Sequence, residues 1–297
     1  SGSSSIETAS GAGGLALTTS LDLGGAAKPR RITFALVDFV ATSASFSTTD
    51  AAVSDYVDRV HAWATATHAA LHTFVGDTLQ VSWNATNRVT QPEAKAARFL
   101  SKLAQFTSMS THVKVAAAGF TGSSVCRYSG SGRVQALTVS MAWRDTLRSL
   151  MAFAVRHQAI VVDGGTAHAA KFCVESRGVE VVPTAETESA HDDGDGEAQT
   201  KAAAEQPASI EVHEVVGEKC SLDDDDEWMY VLRRREKSAN ERVTEALRLA
   251  ADGRAAEAIE NLEALALDDA SVAEAPLVAR LRSRLDGAML IHSATDG

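Results

Sequence analysis

Leu71–Trp83, LHTFVGDTLQVSW, decides the fold. Two short runs rich in β-branched and aromatic residues flank Gly76-Asp77, and that pattern predicts a β-hairpin. Gly76 supplies the permissive backbone and Asp77 stands at the tip. A carboxylate held on a tight turn suits a hard cation, because Mg²⁺ is bound through one or two carboxylates together with phosphate oxygens. Gly-Asp is also an ordinary turn dipeptide, so the hairpin alone assigns no site. A second stretch, Arg31–Asp38 (RITFALVD), is a near-continuous apolar run ending in an acid. It predicts a buried central strand with Asp38 at its C-terminal end. Two carboxylates at strand ends of one sheet can meet at one metal pair.

The segments around these two stretches alternate in period. Asp50 is placed to cap a helix running to about Ala70, with Val53, Tyr56, Val57, Val60, Trp63 and Ala64 at helical spacing. Pro92–Met109 predicts a second helix, with Pro92 near its first position and Ala96, Phe99, Leu100, Leu103 and Phe106 on one face. Val113–Ala118 and Val134–Val139 read as strands. Ser140 can cap a helix carrying Trp143, Leu147, Leu150 and Met151, and Ile160–Val162 with a pair near Phe172 and Val181 complete the sheet. The expected fold is α+β, with a central, mostly antiparallel sheet flanked by helices.

Composition narrows the function classes. The chain has 297 residues, 45% of them hydrophobic, and a net charge of −11. That balance argues against a nucleic-acid partner, and the only basic cluster, Arg233–Arg235, adjoins an acidic run. No apolar run is long enough to span a bilayer, and no secretory leader is expected. Cys126, Cys173 and Cys220 are widely spaced and form no zinc or disulfide pattern, so a reducing, cytoplasmic setting is expected, as the cytosolic part of a larger protein. His61, His68 and His72 lack carboxylate or thiol companions at ligand spacing and are expected to be solvated or half-buried.

Residues 1–29, rich in Ser, Gly, Ala and Thr, are expected to be a disordered linker, and the absence of a starting Met predicts a piece of a longer protein. The folded domain is expected over 30–217, interrupted by an acidic insertion at 184–207 whose Asp192, Asp193 and Asp195 lack calcium-loop spacing. An acidic and aromatic linker, 218–235, with Trp228, Met229 and Tyr230 docking on a surface, precedes a helical segment at 236–287 and a flexible end at 288–297. In the helical segment Val243, Ala246, Leu247 and Ala250 form one stripe, Gly253 breaks it, and Ala258, Ile259, Leu262 and Leu265 form the next. The stretch resembles one tetratricopeptide-type helical hairpin with a third, capping helix, and a single such unit must bury its faces against something else.

In order and spacing the chain resembles the class III nucleotidyl (adenylyl or guanylyl) cyclase domains. The shared features are an apolar strand ending in an Asp (Leu36-Val37-Asp38, where the family has Phe-x-Asp), a long helix, a strand–Gly-Asp–strand hairpin, a strand followed by a Thr121-Gly122 turn, and the late strands FCVESRGVEVV and SIEVHEVVG. The resemblance implies a ferredoxin-like core. It also implies that Asp38 and Asp77 hold two Mg²⁺ or Mn²⁺ ions on ATP or GTP, with Phe39, Val40, Ala41, Thr42 and Ser43 where family backbone amides hold phosphates. The family makes its site between two cyclase-type domains. The 3′-oxygen attacks the α-phosphorus, pyrophosphate leaves, and metals and cations stabilise the growing charge.

The other half of the family's residues is eroded. Thr73 stands at the base-reading Lys, Leu137 at the second base reader, Arg144 at the ribose-orienting Asn and Pro183 at the triphosphate Lys; Arg148 alone retains the transition-state Arg. One lost charge-stabilising donor costs about 3 kcal/mol, near a hundredfold in rate. The resemblance therefore implies a homodimer that is a poor cyclase or none, a pseudoenzyme serving regulation or dimerisation in intracellular signalling and still able to take Mg-NTP. The alternatives are the metal-bearing half of a heterodimeric cyclase making cyclic NMP, and a non-catalytic scaffold piece.

Overall fold

The computed structural model describes residues 29–42, 46–75, 77–131, 134–139, 144–183, 209–219 and 227–295. Gly76, Ser43, Ser140, Trp143, the acidic insertion and residues 1–28 lie outside them, as do the side chains of Trp228, Met229 and Tyr230.

The first six elements are β1 (Arg30–Ala41), α1 (Phe46–Ala66), β2 (Ala70–Val75), β3 (Thr78–Trp83), α2 (Pro92–Met109) and β4 (Val113–Ser124). Their strands lie side by side as β2-β3-β1-β4, every neighbour antiparallel, which is the ferredoxin-like arrangement. A separate two-stranded sheet, β5 (Cys126–Ser131) and β6 (Val134–Val139), leads into α3 (Arg144–His157). β7 (Ile160–Asp163) then runs parallel to β4. After α4 (Gly164–Ala170) comes the antiparallel pair β8 (Val174–Pro183) and β9 (Ser209–Glu218), giving the seven-stranded order β2-β3-β1-β4-β7-β9-β8. Four further helices follow: α5 (Glu227–Ala251), α6 (Ala255–Asp268), α7 (Ala270–Ala273) and α8 (Pro276–Thr295).

Alternation along β1 feeds two cores. Ala35, Val37 and Phe39 face α1, α2 and α4, where Tyr56, Val60, Phe99, Leu100 and Leu103 are fully buried. Each such Leu or Phe stabilises the fold by about 2 kcal/mol. Ile32 and Phe34 face the opposite side, under Leu147, Leu150 and Phe153 of α3 and Leu277 of α8. The close approach of α2 requires Gly119 on β4, where a Cβ would meet Leu100 Cδ1 at 2.8 Å.

Several expectations shift. The first helix starts at Phe46, ahead of Asp50, so Ser47, Thr48, Thr49 and Asp50 all lie inside it and none of them is its N-cap. It ends at Ala66, ahead of Ala70, since His68 takes a left-handed φ of 57° and turns the chain into β2. Val134–Val139 is a strand but pairs only with β5 and does not join the main sheet. Thr121-Gly122 is no turn: β4 stays extended to Ser124, paired with the start of β1. Phe172 lies in the turn before β8 and is 82% exposed. α5 begins at Glu227, inside the stretch expected to be a linker, and ends just before Gly253, whose φ of 80° suits glycine.

Candidate functional site

β1 is interior to the sheet for most of its length, and its side chains are covered on both faces. At its C-terminal end the cover on the α3-facing side stops, while Phe39 on the other face stays buried. Asp38 is half-buried and Val40 is 61% exposed. Asp38 shares the α3-facing side of β1 with Ile32 and Phe34, and its ladder partners are Thr78 on β3 and Ala116 on β4. The hairpin turn brings Asp77 to the neighbouring ladder position, where its carbonyl accepts from the Phe39 amide at 3.1 Å. Asp77 itself is exposed. The register of β1 with β3 therefore places Asp77 one ladder position from Asp38.

Thr78 was not singled out by its sequence, yet its hydroxyl donates to Asp38 Oδ1. Counting the ladder from the hairpin would have found it, since Asp38 falls opposite the residue after Asp77. Tyr56 of α1 is the other unlooked-for neighbour. Its ring packs between Phe39 (4.9 Å between centroids) and Phe106 (5.7 Å). Its hydroxyl is buried without a hydrogen-bond partner among the described residues. Burial, and then the Asp38 charge, push that phenol well above the ordinary tyrosine range, so it stays protonated. Two carboxylates and a hydroxyl are hard oxygen donors of the kind Mg²⁺ and Mn²⁺ prefer, and Asp38 has lone pairs to spare beyond the Thr78 bond.

The phosphate stretch is less open than expected. Phe39, Val40 and Ala41 continue β1, paired with Val115, Lys114 and Val113. The Phe39 amide is engaged by Asp77, and the Thr42 amide donates to His112 O at 2.8 Å. The Thr42 hydroxyl donates to Thr111 O at 3.1 Å. Among residues 39–43, the amides of Phe39 and Thr42 are thus held within the fold.

The remaining positions lie elsewhere. Thr73 pairs with Gln80 on the hairpin, and Leu137 sits on β6, off the main sheet. Arg144 and Arg148 are exposed on the first two turns of α3, with Arg148 3.4 Å from Asp145. Pro183 ends β8, at the sheet edge opposite the hairpin. One chain does not gather these positions around Asp38 and Asp77. Among the described residues, a cavity of about 510 Å³ between α4, β9 and α5, and a groove of about 1020 Å³ between α1 and α2, both lack Asp38 and Asp77 in their walls.

His61 and His68 are exposed. His72 Nε2 lies 2.5 Å from Ser82 Oγ, and burial lowers its pKa. Among the described residues no group of three or more His, Cys, Asp or Glu is placed to hold a metal. A further buried cluster ties the sheet together. Asp163 caps α4 through the Thr166 amide at 3.2 Å and accepts from the Thr121 amide at 3.1 Å. Burial raises its pKa, and these hydrogen bonds oppose the rise.

No family model and no curated protein matches the chain. Solved structures do. The dimeric guanylyl cyclase domain of the RhoGC fusion protein from the aquatic fungus Blastocladiella emersonii is 12% identical, with a TM-score of 0.45 over 65% of this chain and 100% of that one. The guanylate cyclase domain of RhGC from Catenaria anguillulae, in complex with GTP, is 10% identical, with a TM-score of 0.45 over 64% of this chain and 97% of that one. The adenylyl cyclase CyaB from P. aeruginosa is 13% identical, with a TM-score of 0.44 over 66% of this chain and 97% of that one. At these scores the functional reading rests on the chain's own residues.

Proposed function

We propose that this chain is a class III cyclase-like domain that has lost catalysis as a homodimer and works in nucleotide signalling as a regulatory or dimerisation module, still able to bind a metal–nucleoside triphosphate. The observation that carries the reading is the strand-end pair: Asp38 half-buried with Thr78 donating to it, and Asp77 exposed one ladder position away. Val40, Asp77 and Thr78 are exposed beside Asp38, so a nucleotide seated on them would face water unless a second domain covered it. The residues that would act from such a partner face are altered, with Thr73, Leu137, Arg144 and Pro183 at four family positions and Arg148 kept. Arg144 is a long cation at the start of α3, where an amide would orient a ribose, and Pro183 carries no charge. Losses at one site are not additive, but these act in the same direction.

A second reading is favoured by the same pair. Donors intact on one side and eroded on the other is the pattern of the metal-bearing half of a heterodimeric cyclase. The helical segment, similar to a tetratricopeptide hairpin, would then serve partner choice.

The test is binding of a fluorescent, non-cyclisable ATP or GTP analogue with Mg²⁺ or Mn²⁺. Metal-dependent binding by the wild type, abolished in Asp38→Ala with Asp77→Ala, is the expected result. No binding at millimolar-range nucleotide would overturn the metal-site reading and leave a domain kept for its contacts alone. Cyclic nucleotide made by the isolated chain would overturn the claim of inactivity.

A further inference from the structure

The helical tail is fastened to the sheet in two places. α5 lies along the edge strand β8: the Thr244 hydroxyl accepts from the Gly178 amide at 2.9 Å, and the Asn240 amide donates to Glu175 at 2.9 Å. This contact covers an edge that would otherwise be open to another chain. α8 makes the second attachment. Leu277 enters the apolar layer beneath α3. Arg280, three residues on, bridges two elements. Its guanidinium donates to Glu180 of β8 at 3.2 Å and to His157 Nε2 of α3 at 2.6 Å, and it lies 5.8 Å from the centre of the Phe153 ring of α3. Arg284, one turn further along α8, also pairs with Glu180.

The Arg280–His157 bond has only one direction. A guanidinium has no acceptor, so Nε2 accepts, the ring proton sits on Nδ1, and the imidazole is neutral. A second proton would remove the acceptor and set two cations in contact. We propose that α8 is a proton-sensitive latch on α3: Arg280 holds the two helices together while His157 is neutral, and protonation of His157 frees α8 from α3 while α5 stays on β8.

The charged groups around His157 come from three elements. Arg156 is on its own helix, Arg280 is on α8, and Glu180 of β8 lies behind Arg280, shared with Arg284. Partial burial, then Arg280 and Arg156, hold the His157 pKa below the ordinary histidine value. The neutral, latched state therefore persists at and somewhat below the ordinary histidine value and is lost as the pH falls through the lowered one. The latch does not depend on the cyclase reading. Under that reading it gives the tail a grip on the helix whose first two turns carry Arg144 and Arg148.

Hydrogen exchange on the whole chain tests it, after correction for the intrinsic pH dependence of exchange. Between about pH 7.5 and about pH 5, amides in residues 278–285 of α8 and in the last turn of α3 should exchange roughly tenfold faster, and those in residues 240–250 of α5 should not. His157→Gln keeps an acceptor without a titrating group and should abolish the change. Arg280→Ala should give the fast pattern already at neutral pH. If Arg280→Ala fails to fold, the wild-type titration against His157→Gln still decides. No acceleration in the wild type, the same acceleration in His157→Gln, or release of α5, α6 and α8 together would each overturn the latch.

Discussion

Two carboxylates, one on an edge strand and one on an interior strand of the sheet, make a useful contrast. Glu180, on the edge strand β8, is buried and held by Arg280 and Arg284 from α8. Asp38, at the end of the central strand β1, is half-buried and accepts one hydrogen bond, from Thr78. A carboxylate whose acceptor sites are filled by the fold's own cations is a fastener. One with acceptor sites to spare, one ladder position from a second aspartate and with no cation of the chain in ion-pair range among the described residues, is suited to take a cation from outside. Mutation should separate the two classes: altering Glu180 should change stability, and altering Asp38 should change ligand binding.

The largest stability effect is expected at Glu180. Glu180→Ala leaves two arginines without their acid and should cost about 2 kcal/mol, less than a fully buried pair because both arginines are partly exposed. Denaturant unfolding would measure it, and a change within error would remove Glu180 from the fasteners. Thr78→Val should cost about 1 kcal/mol in the same experiment, the worth of one hydrogen bond. If metal affinity falls as well, Thr78 belongs to the metal site and not only to the hairpin. Tyr56→Phe should be neutral or stabilising by up to about 1 kcal/mol, because it removes a buried hydroxyl without a partner among the described residues. Asp38→Asn should shift stability least, within about 0.5 kcal/mol, while abolishing metal-dependent nucleotide binding.

His72 gives the contrast a pH axis at the hairpin. Burial lowers its pKa in the folded chain. Its contribution to stability should therefore be whole above the ordinary histidine value and be lost as the pH falls through the lowered one. Unfolding midpoints followed from neutral to acid pH should decline in the wild type and decline less in His72→Gln. An equal decline in both would assign the acid sensitivity to other groups.

Much of the framework was legible because it depends on local pattern. The second helix follows from Pro92 and the spacing of Phe99, Leu100 and Leu103, and it spans the expected residues. The hairpin follows from β-branched and aromatic runs around Gly76-Asp77, and β1 from an apolar run too continuous for a one-faced strand. What misled was sequence that permits more than one local outcome. Thr121-Gly122 has turn chemistry, but pairing with the start of β1 keeps it extended. By resemblance Phe39–Ala41 falls where family backbone amides hold phosphates, yet its partners on β4 hold it as strand.

The sequence alone determined the alternation of strands and helices, the two aspartates and the stripes of the helical tail, because each is written in spacing of two, or of three to four, residues. Only the tertiary structure decided the rest. Register placed Thr78 opposite Asp38, the fold buried the Tyr56 hydroxyl beside that charge, and packing brought Arg280 to both His157 and Glu180, 123 and 100 residues away along the chain. Such pairings leave no periodic trace, since they depend on which faces meet once the core has formed and not on any local preference of the residues themselves.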